Sequence, residues 1–281
     1  MRILLTGRTG QVGSALERAL APLGDLVAFD RKGLDLQFIG NAISKAKPDI
    51  IVNAAAYTAV DRAEQEKELA FAVNAAAVGE LASQAKAIDA LLVHFSTDFV
   101  YDGEKPAPYV ETDAPNPLNV YGQSKLEGER AIAASGCRHV VFRTSWVYSP
   151  GGRNFMLAIL AAAKTKPELR VVDDQRGAPT SSDAIAGAVA RVLAQPEKLA
   201  SAGGLYHLSA GGATTWHGFA MAILEAKGIK IPVHAIRSDE YPAAARRPKN
   251  SLLDNSKFVG AFGFALSDWR EGLAAVVRAM H

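Results

Sequence analysis

Short aliphatic and β-branched runs recur along the chain, at Arg2–Thr6, Leu26–Asp30, Ile50–Ala54, Leu91–Ser96, Val140–Thr144 and Leu205–Leu208. Each of the first four is followed by a segment of helical period: Val12–Leu23, Asn41–Lys47, Asp61–Ile88 and, after a longer loop, Tyr121–Ala134. A parallel strand can return to the sheet only through a helix-sized crossover, so this alternation predicts an α/β fold, a doubly wound parallel sheet with helices on both faces. Prolines 106, 108, 115 and 117 crowd Gly103–Pro117 and mark a long loop between the fourth strand and its helix. From about Ser149 the alternation fails. Helices are expected at Phe155–Lys164, Ser182–Leu193 and Thr215–Lys227, with a strand near Leu205. We therefore expect a sheet domain at residues 1–148 plus about 183–210, and a second, smaller, discontinuous α/β lobe at about 149–182 plus 211–281.

Composition removes several classes. With 31 Lys and Arg against 29 Asp and Glu, the formal charge is +2, too weak a field for a phosphate-backbone binder, so no nucleic-acid partner is expected. One cysteine, Cys137, excludes an internal disulfide framework and any Cys-rich metal site, and fits a reducing compartment. No run approaches the roughly 18 apolar residues of a membrane span, and the N-terminal apolar stretch is too short for a signal peptide. A cytoplasmic protein that binds no membrane is expected. The six histidines show no metal-ligand spacing, and His94, His139 and His207 fall in or beside apolar strands as structural residues, so no metal is expected. Asp61 is expected to cap the charged helix face Asp61–Glu68.

Directly after the first strand, Gly7-Arg8-Thr9-Gly10-Gln11-Val12-Gly13 opens a helix. In that context Gly7 permits a tight turn, Gly10 lets backbone N–H groups approach a pyrophosphate, and Gly13 allows the helix to pack on the sheet. Asp30 closes the next strand 23 residues after Gly7, near the spacing of a ribose-binding acid, so a Rossmann-type dinucleotide site is expected. Asp30 repels a 2′-phosphate and favours NADH, whereas Arg8 and Arg31 would neutralise it and favour NADPH, unless they are plain surface charges. Asp35-Leu36 is placed to flank an adenine. Ala54, Ala55 and Ala56 offer small side chains where a cofactor crosses the sheet edge, although each segment also reads as an ordinary loop or strand end.

Tyr121-Gly122-Gln123-Ser124-Lys125 places a phenol and an amine one turn apart on one helix face. A cationic neighbour lowers a phenol's pKa from about 10 and suits it to proton transfer near neutrality. Lys125 is also placed to bind a ribose, while the plain alternative is a half-buried tyrosine beside a surface lysine. Thr97 ends the fourth strand at the sheet edge where such folds hold ligands, and can hydrogen-bond a substrate oxygen or simply cap a turn. Glycine cradle, acid, hydroxyl and tyrosine–lysine turn together describe a centre for hydride transfer.

These residues resemble the extended short-chain dehydrogenase/reductase family. The resemblance covers nearly the whole chain, through Gly7–Gly13, Asn53–Asp61, Ser96–Asp98, Asn116–Gly122, Phe142–Tyr148, Asp174–Thr180, Gly204–Leu208, Thr215–His217 and Arg247–Ser251. It implies reduction of the C4 ketone of a dTDP-linked 4-keto-6-deoxy sugar, dTDP-4-dehydro-β-L-rhamnose, by NADPH or NADH to dTDP-L-rhamnose. It also implies Tyr121, Lys125 and Thr97 as catalytic residues, with Lys125 lowering the phenol's pKa. Gln11, Val12, Asp30, Asp35, Leu36, Ala56, Tyr57, Thr58, Tyr121 and Lys125 become cofactor contacts. Thr97, Asp98 and Trp146 become substrate contacts, with the second lobe holding the sugar nucleotide. Arg247 and Asn250 belong to a segment suited to gripping its diphosphate, because guanidinium makes paired bonds to phosphate. A homodimer is compatible with the family. Some relatives bridge subunits through magnesium on acidic residues early in the first helix; here Ser14 and Ala15 precede Glu17, and the same bridge is not expected. The competing readings are a non-catalytic regulatory subunit of a methionine adenosyltransferase and a nucleotide-sugar epimerase or dehydratase.

Overall fold

The computed structural model describes residues 1–30 and 39–280. Arg31, Asp35 and Leu36 lie outside the described residues. Six parallel strands form the central sheet, in the spatial order Gly204–His207, His139–Thr144, Leu91–Thr97, Ile50–Asn53, Arg2–Thr6, Asp25–Phe29. The chain reverses its direction of winding between Arg2–Thr6 and Ile50–Asn53, and the crevice beyond the carboxyl ends of those two strands is where such sheets hold ligands.

Both faces are dry, as a parallel sheet requires. Leu5, Val52, Val93 and Val140 share one face with Leu16 of helix Gln11–Leu20 and Ile185 and Val189 of helix Ser182–Leu193. Leu4, Ile51, Leu92 and Val141 share the other with Leu81 of Ala77–Ala87 and Ile132 of Val120–Ser135. The two-residue period assigns Thr6, Asn53 and His94 to this second face, and the register pairs Thr6 with Asn53 and Asn53 with His94 in one cross-strand row.

A separate apolar cluster joins Tyr148, Met156, Ile159, Phe219, Ile223, Trp269 and Leu273. It is built largely by helices Phe155–Ala163, Trp216–Ala226 and Trp269–Ala279. Phe258 and Phe262, from helix Ser256–Phe262, pack into the sheet-side core instead.

Two local expectations need correction. The long helical stretch from residue 61 to 88 is broken into Val60–Ala63, Lys67–Phe71, a π turn at Ala72–Ala76 and Ala77–Ala87. There the buried Asn74 amide binds the Tyr57 backbone at both N–H (2.9 Å) and carbonyl (3.0 Å) and the Ser124 hydroxyl (3.0 Å). Asp61 does not cap its helix. The cap position is Ala59, and the Asp61 carboxylate accepts from Arg247 at 2.7 Å and from the Ala245 N–H at 3.0 Å, because an ion pair outcompetes a local turn.

Candidate active site

The glycine turn is shaped by close approach. Gly7 has φ +75°, and a Cβ there would meet Ala55 N at 2.6 Å. A Cβ on Gly13 would stand 1.9 Å from the Gly7 carbonyl oxygen, so only glycine lets the helix sit this near the strand. The Gly10 N–H donates to the Gly7 carbonyl at 2.9 Å, and no side chain caps helix Gln11–Leu20 or places a carboxylate in its first turn. Its positive end therefore faces a cavity of about 340 Å³ lined by Thr9, Gly10, Gln11, Ser14, Ser149 and Gly151. Ser149 Oγ donates to Gln11 Oε1 at 2.9 Å, closing that cavity across the two parts of the chain. A cradle a Cβ would fill, beside an uncapped helix end, fits a pyrophosphate.

Around it, Val12 packs on the sheet core, Ala54, Ala55 and Ala56 are half-buried at the carboxyl end of the third strand, and Thr58 is exposed. Tyr57 donates its hydroxyl to Glu66 at 2.6 Å. Asp30 is half-buried just past the second strand. Arg8 pairs with Glu17 at 2.6 Å, so it reaches a 2′-phosphate only by leaving that partner.

Tyr121 lies in the first turn of Val120–Ser135, whose start is fixed by Asn119: Oδ1 accepts from the Gly122 N–H at 2.8 Å, and Nδ2 donates to the Arg246 carbonyl at 2.7 Å. Its ring meets Phe99 edge-on at 5.7 Å. Burial pushes the phenol up to about 12; contact with the Thr97 side chain opposes that, and the Asp98 carboxylate reinforces it. The expected lowering by Lys125 is not found. Lys125 is buried and directs Nζ to His94 Nε2 at 3.1 Å, so desolvation decides the phenol's acidity. Burial lowers Lys125 itself to about 8, with Glu129 acting in the other direction.

Thr97 ends the fourth strand, and its Oγ1 accepts from the Phe99 N–H at 3.1 Å. Asp98 is buried, and burial raises its carboxyl to about 6. Among the described residues Asp98 Oδ2, Thr144 Oγ1 and Ser145 Oγ are buried without a hydrogen-bond partner, and the register pairs Thr97 with Thr144. Orphaned polar atoms at the strand ends suit a hydroxyl-rich ligand.

Trp146 holds φ +48°, costly for a bulky residue, and stacks on Trp216 at 3.6 Å and 5°. A Cβ on Gly177 would lie 2.3 Å from the Trp146 ring, so the indole is clamped between the two. Sequence reasoning missed Trp216; only its spacing from Thr215, which caps helix Trp216–Ala226, places it at this edge.

Arg247 and Asn250 both make hydrogen bonds within the chain. Besides Asp61, Arg247 donates to the Ala245 carbonyl at 3.0 Å, while Asn250 Nδ2 is spent on the carbonyls of Lys105 (2.7 Å) and Ala107 (3.0 Å). Asn250 thus staples the C-terminal segment to the proline-rich loop, and Arg247 ties it to helix Val60–Ala63. Among the described residues no cluster of His, Cys, Asp and Glu could hold a metal ion, and no helix is long and apolar enough to cross a membrane.

The model of the RmlD substrate binding domain family matches residues 1–281. The chain belongs to that family. Relatives in the RmlD family include dTDP-4-dehydrorhamnose reductases of Burkholderia thailandensis, 45% identical over 99% of this chain and 98% of that one, and of Shigella flexneri, 44% identical over 97% and 96%. The solved RmlD-type fold is shared with dTDP-4-dehydrorhamnose reductases of Clostridium acetobutylicum (TM-score 0.94, 34% identity, 100% and 99% covered) and of Bacillus anthracis in complex with NADP (TM-score 0.92, 34% identity, 99% of each chain).

Proposed function

We propose that this chain is an oxidoreductase that reduces the C4 ketone of dTDP-4-dehydro-β-L-rhamnose to dTDP-L-rhamnose with NADPH or NADH. The near-full-length relatives named for that activity support the reading, as does the Bacillus anthracis relative solved with NADP. The observation that bears it is the half-buried Tyr121 beside Thr97, next to orphaned polar atoms at the carboxyl edge of a sheet with a phosphate-shaped glycine cradle.

Gly7, Gly10, Gln11, Val12 and Gly13 would hold the cofactor's pyrophosphate, Asp30 a ribose, and Ala54–Thr58 the inner wall. When bound, the reduced nicotinamide supplies one hydride to the ketone carbon. Tyr121, kept protonated by its burial, donates the matching proton to the alkoxide oxygen, and Thr97 orients that oxygen. Asp98 and the Trp146–Trp216 pair form the sugar side of the site. The division into a sheet domain at 1–148 plus about 183–210 and a substrate lobe from the remainder belongs to this reading. So do a cytoplasmic location and a homodimer, which light scattering tests. The purified chain, given the dTDP-linked keto sugar and NADPH or NADH, is expected to consume the nicotinamide and form dTDP-L-rhamnose. No consumption of either nicotinamide overturns the reading and leaves a non-catalytic binding protein.

A further inference from the structure

Thr6, Asn53 and His94 form a cross-strand row beneath helix Val120–Ser135, and hydrogen bonds run along it to Lys125. The direction of this chain is fixed at one end. The Ala55 N–H can only donate, and it lies 3.2 Å from the Asn53 carboxamide atom that also receives the Thr6 hydroxyl at 2.6 Å. That atom is therefore the oxygen. The Asn53 nitrogen, which also can only donate, then faces His94 Nδ1 at 3.0 Å. Nδ1 must accept, so the proton of a neutral imidazole sits on Nε2, facing Lys125 Nζ at 3.1 Å. We propose that His94 is a positioning residue: its tautomer, set by Asn53, donates to Lys125 and favours the free amine of that lysine over its ammonium in the cofactor-free enzyme.

Burial first, and the nearby Lys125 second, hold His94 well below the usual histidine range, so the imidazole is neutral as the row requires. The charged and titratable groups on the surrounding elements are Tyr121 and Glu129 on the helix, Asp98 past the fourth strand, and Arg143 of the fifth strand. Arg143 binds Glu129 through both oxygens, at 2.9 and 2.5 Å. That pairing satisfies Glu129 away from Lys125 and leaves the histidine as the lysine's hydrogen-bond partner. The inference rests on the proposed reading only for its consequence in catalysis, since the row itself is a property of the unliganded chain.

Lysine ¹³Cε spectra of the cofactor-free full-length protein test it. Wild-type Lys125 is expected to titrate near 8. His94→Gln supplies a carboxamide oxygen that accepts from an ammonium, and should raise proton affinity at Lys125 at least about tenfold. Asn53→Leu frees His94 Nδ1 to take the proton and should shift Lys125 in the same direction. A Lys125 midpoint unmoved by either substitution means burial alone sets it and overturns the proposal. Should either variant misfold, the long-range ¹H–¹⁵N spectrum of wild-type His94 decides: a protonated Nε2 supports the proposal, a protonated Nδ1 overturns it. The alkaline limb of kcat/KM should move upward with the Lys125 midpoint. A limb that stays while the midpoint moves counts against Lys125 in the reaction, not against the row.

Discussion

Lys125 Nζ stands 3.1 Å from His94 Nε2 and is turned into the sheet, although its helix places it one turn from Tyr121. The unliganded site thus holds a protonated phenol beside an amine whose hydrogen bond is already taken. Reduction of a ketone needs an acid, and a phenol raised by burial is in that form at neutral pH.

Removing the phenol hydroxyl should therefore abolish proton delivery without disturbing the cradle. Tyr121→Phe is expected to lower kcat by at least about 100-fold, the usual contribution of a positioned general acid, with cofactor affinity unchanged by fluorescence titration. Wild-type turnover in the variant would exclude Tyr121 as the acid.

At the cradle, a methyl on Gly13 has no room beside the Gly7 carbonyl, 1.9 Å from its Cβ. Gly13→Ala should cost about 1–3 kcal/mol in stability as the helix is forced off the strand, and NADPH binding should weaken in parallel. Calorimetry showing native affinity and native Tm would place the pyrophosphate elsewhere.

Lys125 gives a prediction of opposite sign. Its folded-state pKa, near 8, lies below the ordinary 10.5, so the unfolded chain holds more protons between those values. Stability should rise as pH climbs through that window, and the cost of the buried charge is greatest below it. Lys125→Met removes that cost but leaves the His94 Nε2–H unpaired. The expected net gain is on the order of 1 kcal/mol at neutral pH, seen as a Tm about 2–4 °C higher, alongside loss of turnover. A lower Tm would show that the lysine stabilises the fold.

Trp216 supports Trp146 face to face. Such pairs contribute about 0.5–1.5 kcal/mol beyond area burial, so Trp216→Ala should raise KM for the keto sugar up to about tenfold while changing kcat much less. An equal loss in kcat at unchanged KM would remove the pair from substrate binding.

The sheet, the cradle and the tyrosine–lysine turn are legible in the chain because each depends on local period and spacing. Strand residues alternate between two dry faces, and Gly13 answers to a steric demand at the Gly7 carbonyl one short turn before it. What escapes is the partner each polar group takes across long separations. His94 reads as an ordinary strand histidine until the register sets it opposite Asn53 and beneath Lys125. Nor does the local sequence around Arg247 show that its guanidinium rests on Asp61, 186 residues away. Likewise, a neighbouring cation was expected to control the phenol, but side-chain direction and burial decide it.

Transfer of deuterium from NADPH or NADH labelled at nicotinamide C4 tests the central claim most directly. Hydride delivery to the ketone within this site predicts dTDP-L-rhamnose carrying one deuterium at sugar C4, and none in the product of Tyr121→Phe beyond its residual turnover. Deuterium at any other sugar carbon, or unlabelled product formed at full rate, would contradict it.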